Sequence, residues 1–312
     1  MKIQQVNIKQ IIFTNIIIIV IFLTISGCTN NQQWNLEQIH VYDAWQISKG
    51  SNQTIAFIDT GITPTLLEKY KERIVAPYNA LTGTSDVTDR NGHGTEMVTA
   101  ACGSGVAGVW GVAPNARIMP ILITKDNGCA SPDAIVKGIE WAISHNATVI
   151  NLSIGNVNSN QLITNAIQLA FVKHIIVVAA AGDYGEAGVL FPASLPGVIS
   201  VGAKDKNGDL LPISNYSPDI SIVTLGSDIS VLSIDKNNNN NIICKKIDGT
   251  SVATATISGL IALALDVKKP LSTRIVINAL KYSQDNNIFI NSETFLKRIN
   301  IINNEEEEED SN

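Results

Sequence analysis

Four stretches of this chain set a reactive side chain where an apolar run gives way to glycine. In "IAFIDTGI" the run ends at Asp59, before Thr60 and Gly61; in "DRNGHGTEMVTAACG" His93 stands between two glycines and opens a small-residue stretch, Gly94 to Cys102. In "DGTSVATATISG" Ser251 follows Gly249 and Thr250 and opens a stretch of small and apolar residues, and in "HIIVVAAAGDYGEAG" Asp183 follows Gly182. Singly, each has an ordinary structural use: aspartate before glycine makes turns, histidine near a helix start caps or packs, and serine caps helices. Asp59, His93 and Ser251 in that order also supply the orienting acid, base and nucleophile of acyl transfer. A hydroxyl at a helix N-terminus sits where backbone N–H groups favour developing negative charge. The other histidines, His40, His145 and His174, lie inside or beside helical patterns and strands and read as structural or exposed.

Such groups need a scaffold that brings distant segments to one edge, and the apolar pattern supplies one. Strands are expected at Thr54 to Asp59, Arg117 to Ile123, Ala147 to Ser153, Ile175 to Ala180 and Val198 to Ala203, mostly as continuous apolar runs. Runs of that kind fit a parallel sheet covered on both faces. Helical spacing occupies Trp34 to Trp45, Pro132 to His145 and Ser159 to Lys173. Strand and helix alternating at this spacing predict an α/β fold, a doubly wound, mostly parallel sheet with helices on both faces, whose sites form at the carboxyl ends of the strands. Later, "ISIVTLG" and "SVLSI" read as short alternating strands, and Asn237 to Asn241, before "IICKKI", as a hairpin turn. The acids from Glu305 to Asp310 read as part of a disordered tail covering 301–312.

At 312 residues with 45% hydrophobic and 16% charged content, the chain can bury a full core, and nothing in it marks a second domain. Its net charge of −6 and the absence of a basic stripe exclude a nucleic-acid partner. Lys2 and Lys9 precede the apolar run Ile11 to Ile25, and "ISGC" ends at Cys28, a secretory layout whose run is short for a membrane span of about 20 residues. Small residues before the cysteine resemble a bacterial lipobox. That implies a leader over 1–27, lipid on Cys28, a linker over 28–33 and a place on the extracytoplasmic face of the membrane; a retained signal-anchor helix is the competing reading. Cys102, Cys129 and Cys244 then form an odd set without zinc spacing, so at most one disulfide can form and single buried thiols are expected.

From Trp34 to Leu265 the chain resembles the subtilisin-like serine protease family. The resemblance rests on "IAFIDTGI", "NGHGTEMV", "GVWGVAPNARI", "GIEWAISHNATVINLSIG", "VVAAAG", "FPASLPGVISVGA" and "DGTSVATATISG", in that order. It implies a peptidase domain over 34–300 in which Ser251 attacks a peptide carbonyl, His93 takes and returns the proton, and Asp59 holds the imidazole. It also implies an extended substrate beside Gly128, Cys129 and Ala130 and beside Ser153, Ile154 and Gly155, a monomer, and no required cofactor, with calcium unassigned.

Several positions depart from the family pattern. An asparagine is usual where Asp183 stands, its amide donating to the tetrahedral oxygen; an ionised Asp183 has no such donor. Either the acid is protonated and donates, or it turns away and water or Thr250 substitutes, or the chain cleaves nothing and is a surface lipoprotein binding peptides in a subtilisin-like cleft. Ala255 and Thr256 replace the usual Pro and His on the serine helix. The calcium-holding loop is cut to "GSGVAGVWG", and Cys28 to Gln33 leave no room for an inhibitory propeptide. The segment "GDYGEAGVLFPAS" is short, with Leu190 expected to fill the primary specificity pocket and to select small or apolar side chains. The resemblance implies a surface-anchored endopeptidase, either narrow in substrate, such as a processor of an exported peptide like a lantibiotic precursor, or serving general nutrition.

Overall fold

Strands with apolar side chains on both faces need cover on both sides, and the helices between them provide it. The computed structural model describes residues 33–125, 128–155, 158–235, 241–285 and 288–309. The leader, Cys28, residues 237–240 of the asparagine run and the last three residues lie outside these.

Two short helices, α1 (Trp34–Gln38) and α2 (Val41–Ala44), precede β1 (Thr54–Asp59) and α3 (Pro64–Lys69). Then come β2 (Tyr78–Asn79), α4 (His93–Cys102), the small hairpin β3 (Ser104–Val106) and β4 (Val109–Trp110), and β5 (Arg117–Leu122). The middle of the chain runs α5 (Pro132–Ser144), β6 (Val149–Leu152), α6 (Gln161–Val172), β7 (Ile176–Ala180), β8 (Ile199–Lys204) and β9 (Ile222–Leu225). It closes with β10 (Ile229–Ile234), β11 (Ile242–Ile247), α7 (Thr250–Val267), α8 (Thr273–Tyr282), the pair β12 (Gln284–Asp285) and β13 (Phe289–Ile290), and α9 (Ser292–Glu309).

Seven parallel strands form the main sheet in the order β2-β5-β1-β6-β7-β8-β9. Along β1, Ile55 and Phe57 pack with α4 and α7 on one face, while Ala56 and Ile58 pack with α5 and α6 on the other. This period-two division of one apolar run gives the sheet two cores. Helix α7 is apolar and long enough to cross a membrane, but 83% of it is buried, as the core helix between the sheet and α4.

Three expectations change, and one, the strands around "SVLSI" and "IICKKI", is met in a separate arm. The helical pattern from Trp34 to Trp45 is broken, because His40 adopts φ 54° and divides it into α1 and α2. "ISIVTLG" contributes β9, which joins the parallel sheet at its edge, whereas β10 pairs antiparallel with β11 as a separate arm. At the C-terminus α9 continues to Glu309 instead of giving way at residue 301, in keeping with the high helix propensity of glutamate. Of the thiols, Cys102 is buried as expected, whereas Cys129 is exposed, and neither is in a disulfide.

Candidate active site

β1 stops at Asp59 because Thr60 and Gly61 turn the chain at the carboxyl edge of the sheet. Helix α4 then has to approach this turn closely. A methyl added to Gly94 would lie 2.3 Å from the Gly61 carbonyl oxygen, so only glycine after His93 permits the contact. The loop entering α4 is shaped by buried Asp89. Its Oδ1 accepts from Thr60 Oγ1 and from the N–H groups of Asn91 and Gly92, and its Oδ2 accepts from the N–H and hydroxyl of Thr95.

So placed, His93 Nδ1 donates to Asp59 Oδ1 at 2.8 Å, and the same oxygen accepts the Thr60 N–H at 2.7 Å. Asp59 is 1% exposed and the His93 side chain 32%, so the carboxylate sits under the ring and the ring's outer edge meets the cleft. Burial alone would lower the imidazole pKa. The Asp59 charge and hydrogen bond outweigh it, with Glu96 and Asp89 acting in the same sense, and push it up to about 9.

Ser251 lies in the first turn of α7, which packs on both α4 and the sheet. Its Oγ donates to the Ser153 carbonyl at 3.4 Å, while Ser153 Oγ donates to the Ser251 carbonyl at 3.0 Å. Among the described residues no hydrogen bond joins Ser251 to His93. Asp183 follows β7 at the N-terminus of α7, where its Oδ1 accepts the Thr250 N–H at 2.8 Å. It is exposed, so the dry surroundings that would sharpen repulsion of an oxyanion are lacking.

A cleft of about 610 Å³ runs from His93 between two walls. Gly128, Cys129 and Ala130 form one, and Ser153, Ile154 and Gly155 the other. Leu190 fills the space beside the second wall: a methyl added to Gly155 would meet its Cδ1 at 2.8 Å, and one added to Gly182 would meet it at 2.7 Å. Cys28 lies outside the described residues. Among those described, no group of three or more His, Cys, Asp or Glu is arranged to hold a metal ion.

Sequence reasoning missed Asp89 and Glu96 as supports of the His93 loop. Their signal was an acid at a helix N-terminus, which is common and carries no address for its partners.

The subtilase family model matches residues 50–294. Subtilisin DY of Bacillus licheniformis is 34% identical over 243 residues, 76% of this chain and 85% of that protein. A thermostable alkaline protease of Halalkalibacterium halodurans is 35% identical over 69% of this chain, which spans only 57% of that relative's length. Thermitase of Thermoactinomyces vulgaris is 29% identical over 75% of this chain and 82% of its own. A parallel sheet carrying an aspartate–histidine pair at its edge, matched over most of its length by these relatives, identifies the chain as a member of the subtilase family and a subtilisin-like serine endopeptidase.

Proposed function

We propose that this protein is an extracytoplasmic endopeptidase that cleaves peptide bonds with Ser251 as nucleophile, His93 as base and Asp59 as orienting acid. The observation that carries the reading is the 2.8 Å contact between His93 and buried Asp59 at the mouth of the cleft. Rotation of the Ser251 hydroxyl from Ser153 toward the exposed edge of His93 would complete the relay; catalytic hydrogen bonds are often long or misaligned before substrate binds. The Oγ–carbonyl bond then forms as the Ser251 proton passes to His93. Collapse of the tetrahedral adduct breaks the C–N bond, the same proton goes to the leaving amine, and water hydrolyses the acyl-enzyme by the reverse sequence.

The substrate lies extended between Gly128–Ala130 and Ser153–Gly155, pairing through backbone as an added strand. Leu190, filling the space over Gly155 and Gly182, leaves room there for small side chains; the role proposed with it is processing of an exported peptide such as a lantibiotic precursor. The enzyme acts as a monomer, held at the outer face of the membrane by lipid on Cys28. Peptide libraries test the pocket: alanine or glycine before the cut, with Leu190→Gly admitting phenylalanine, supports it, and a strict preference for arginine or glutamate contradicts it. Mass spectrometry tests the anchor: a diacylglyceryl thioether on an N-terminal Cys28 supports it, and a thiol there that is free or in a disulfide contradicts it.

One observation favours a second reading, a surface lipoprotein that binds peptides without cleaving them: an aspartate beside the nucleophile, with one oxygen committed to Thr250. Hydrolysis of unfolded casein, abolished by Ser251→Ala, rejects that reading; intact casein with saturable peptide binding supports it.

A further inference from the structure

The arm formed by β10 and β11 stands outside the main sheet, and its fastening to α4 bears on the base. Glu96 follows His93 by one turn of α4 and is 6% exposed. Its Oε1 accepts the Ser233 hydroxyl of β10 at 2.6 Å and the Lys245 ammonium of β11 at 2.7 Å. The carboxylate folds back over the helix start, since a methyl added to Gly92 would meet Glu96 Oε1 at 3.3 Å. Thr99 continues the seam, accepting the Leu232 N–H at 3.0 Å. Beyond Ile247, where β11 ends, only Asp248, Gly249 and Thr250 precede Ser251. One buried carboxylate therefore links the helix that starts at the base to the strand that leads into the nucleophile.

Stability alone is a poor reason for such a group. Burying the Glu96 carboxylate is costly, and its partner Lys245, 42% exposed, forms a partly solvated pair of the kind that contributes little to stability. We propose that Glu96 is a positioning residue for His93: it ties the arm to α4, fixing the spacing of base and nucleophile, and its charge adds to that of Asp59 on the imidazolium formed when the base takes a proton. Lys245 is the counter-charge that moderates it. The charged groups facing His93 are Asp59 from β1, Asp89 from the loop before α4 and Glu96 from α4 itself. Lys245 of β11 stands behind Glu96, and Asp183 lies at the N-terminus of α7.

The inference rests on His93 being the base of the proposed reaction, so its test is read without turnover as well as with it. In the full chain carrying Ser251→Ala, the His93 imidazole is titrated by NMR. Glu96→Gln, which keeps the shape and the bond to Ser233, lowers the midpoint by about half a unit or more, the size expected of one nearby charge in a partly wet site. Lys245→Met raises it. In the active chain, with an N-blocked peptide p-nitroanilide ending in alanine, Glu96→Gln moves the acid limb of kcat/KM to lower pH and lowers its alkaline plateau, and Lys245→Met moves the limb the other way. If both variants lower Tm alike and leave the His93 midpoint where it was, Glu96 is only a latch and the proposal is overturned. Should the wild-type chain leave the anilide intact while the midpoints shift as stated, the endopeptidase reading fails and the role of Glu96 stands.

Discussion

Asp59 and His93 meet through a 2.8 Å hydrogen bond in which a nearly fully buried carboxylate holds a ring whose other edge faces the cleft. The contact fixes the tautomer, leaving Nε2 as the atom able to receive a proton. Asp59→Asn keeps the volume but removes the charge, so kcat falls by about 10⁴-fold while KM changes little. Initial rates on a peptide anilide check this.

The same contact sets the pH range. A base must be neutral to accept a proton, and His93 is pushed up to about 9, so kcat/KM rises through pH 9 and is small at pH 6. For stability the sign is opposite. The folded pKa exceeds the ordinary 6.5, so the stability His93 contributes is full below pH 6.5 and is lost as pH rises through 9. A pH–rate profile beside a pH–Tm profile checks both, and in Asp59→Asn the acid limb moves down toward 6.5.

Asp183 is where a donor would most help. An asparagine there keeps the Thr250 N–H contact through its carbonyl oxygen and presents an amide N–H to the developing oxyanion. Because removing one such donor costs about 10²–10³ in kcat, Asp183→Asn raises kcat by up to about 10²-fold. A fall in kcat would mean that the native carboxyl donates its own proton.

Gly94 permits the approach of α4 to β1. Its substitution by alanine sets a methyl 2.3 Å from the Gly61 carbonyl oxygen, which backbone cannot yield cheaply. Gly94→Ala costs about 1–3 kcal/mol by overpacking and lengthens the Asp59–His93 contact. Thermal melts and residual activity check the two effects together.

Much of this arrangement was legible in the residues. β1 was read at Thr54–Asp59, where it lies, because a strand buried on both faces must be apolar at every position and a glycine turn marks its end. The cleft walls at Gly128–Ala130 and Ser153–Gly155 and the filling by Leu190 came from the family resemblance, since spacing alone does not say which loops face each other. Less visible were features decided by long-range partners. Nothing in "HGTEMV" announces that Glu96 meets Lys245, and the turn of Asp183 toward Thr250 depends on how β7 is placed against α7. Apolar spacing likewise could not reveal the left-handed backbone of His40 that splits the first helix. Helix α8, before the last helix, carried a local sign, the Ser272 side chain capping the Ile275 N–H, but a single serine is too common to mark a helix start alone.

The central claim is that Ser251 is made nucleophilic by His93, and labelling with a fluorophosphonate tests it most directly. The expected result is one adduct per chain, mapped to Ser251 by mass spectrometry, lost in Ser251→Ala and slowed by orders of magnitude in His93→Ala. An unlabelled folded wild-type chain, or an adduct at Ser251 forming equally fast without the His93 imidazole, would contradict it.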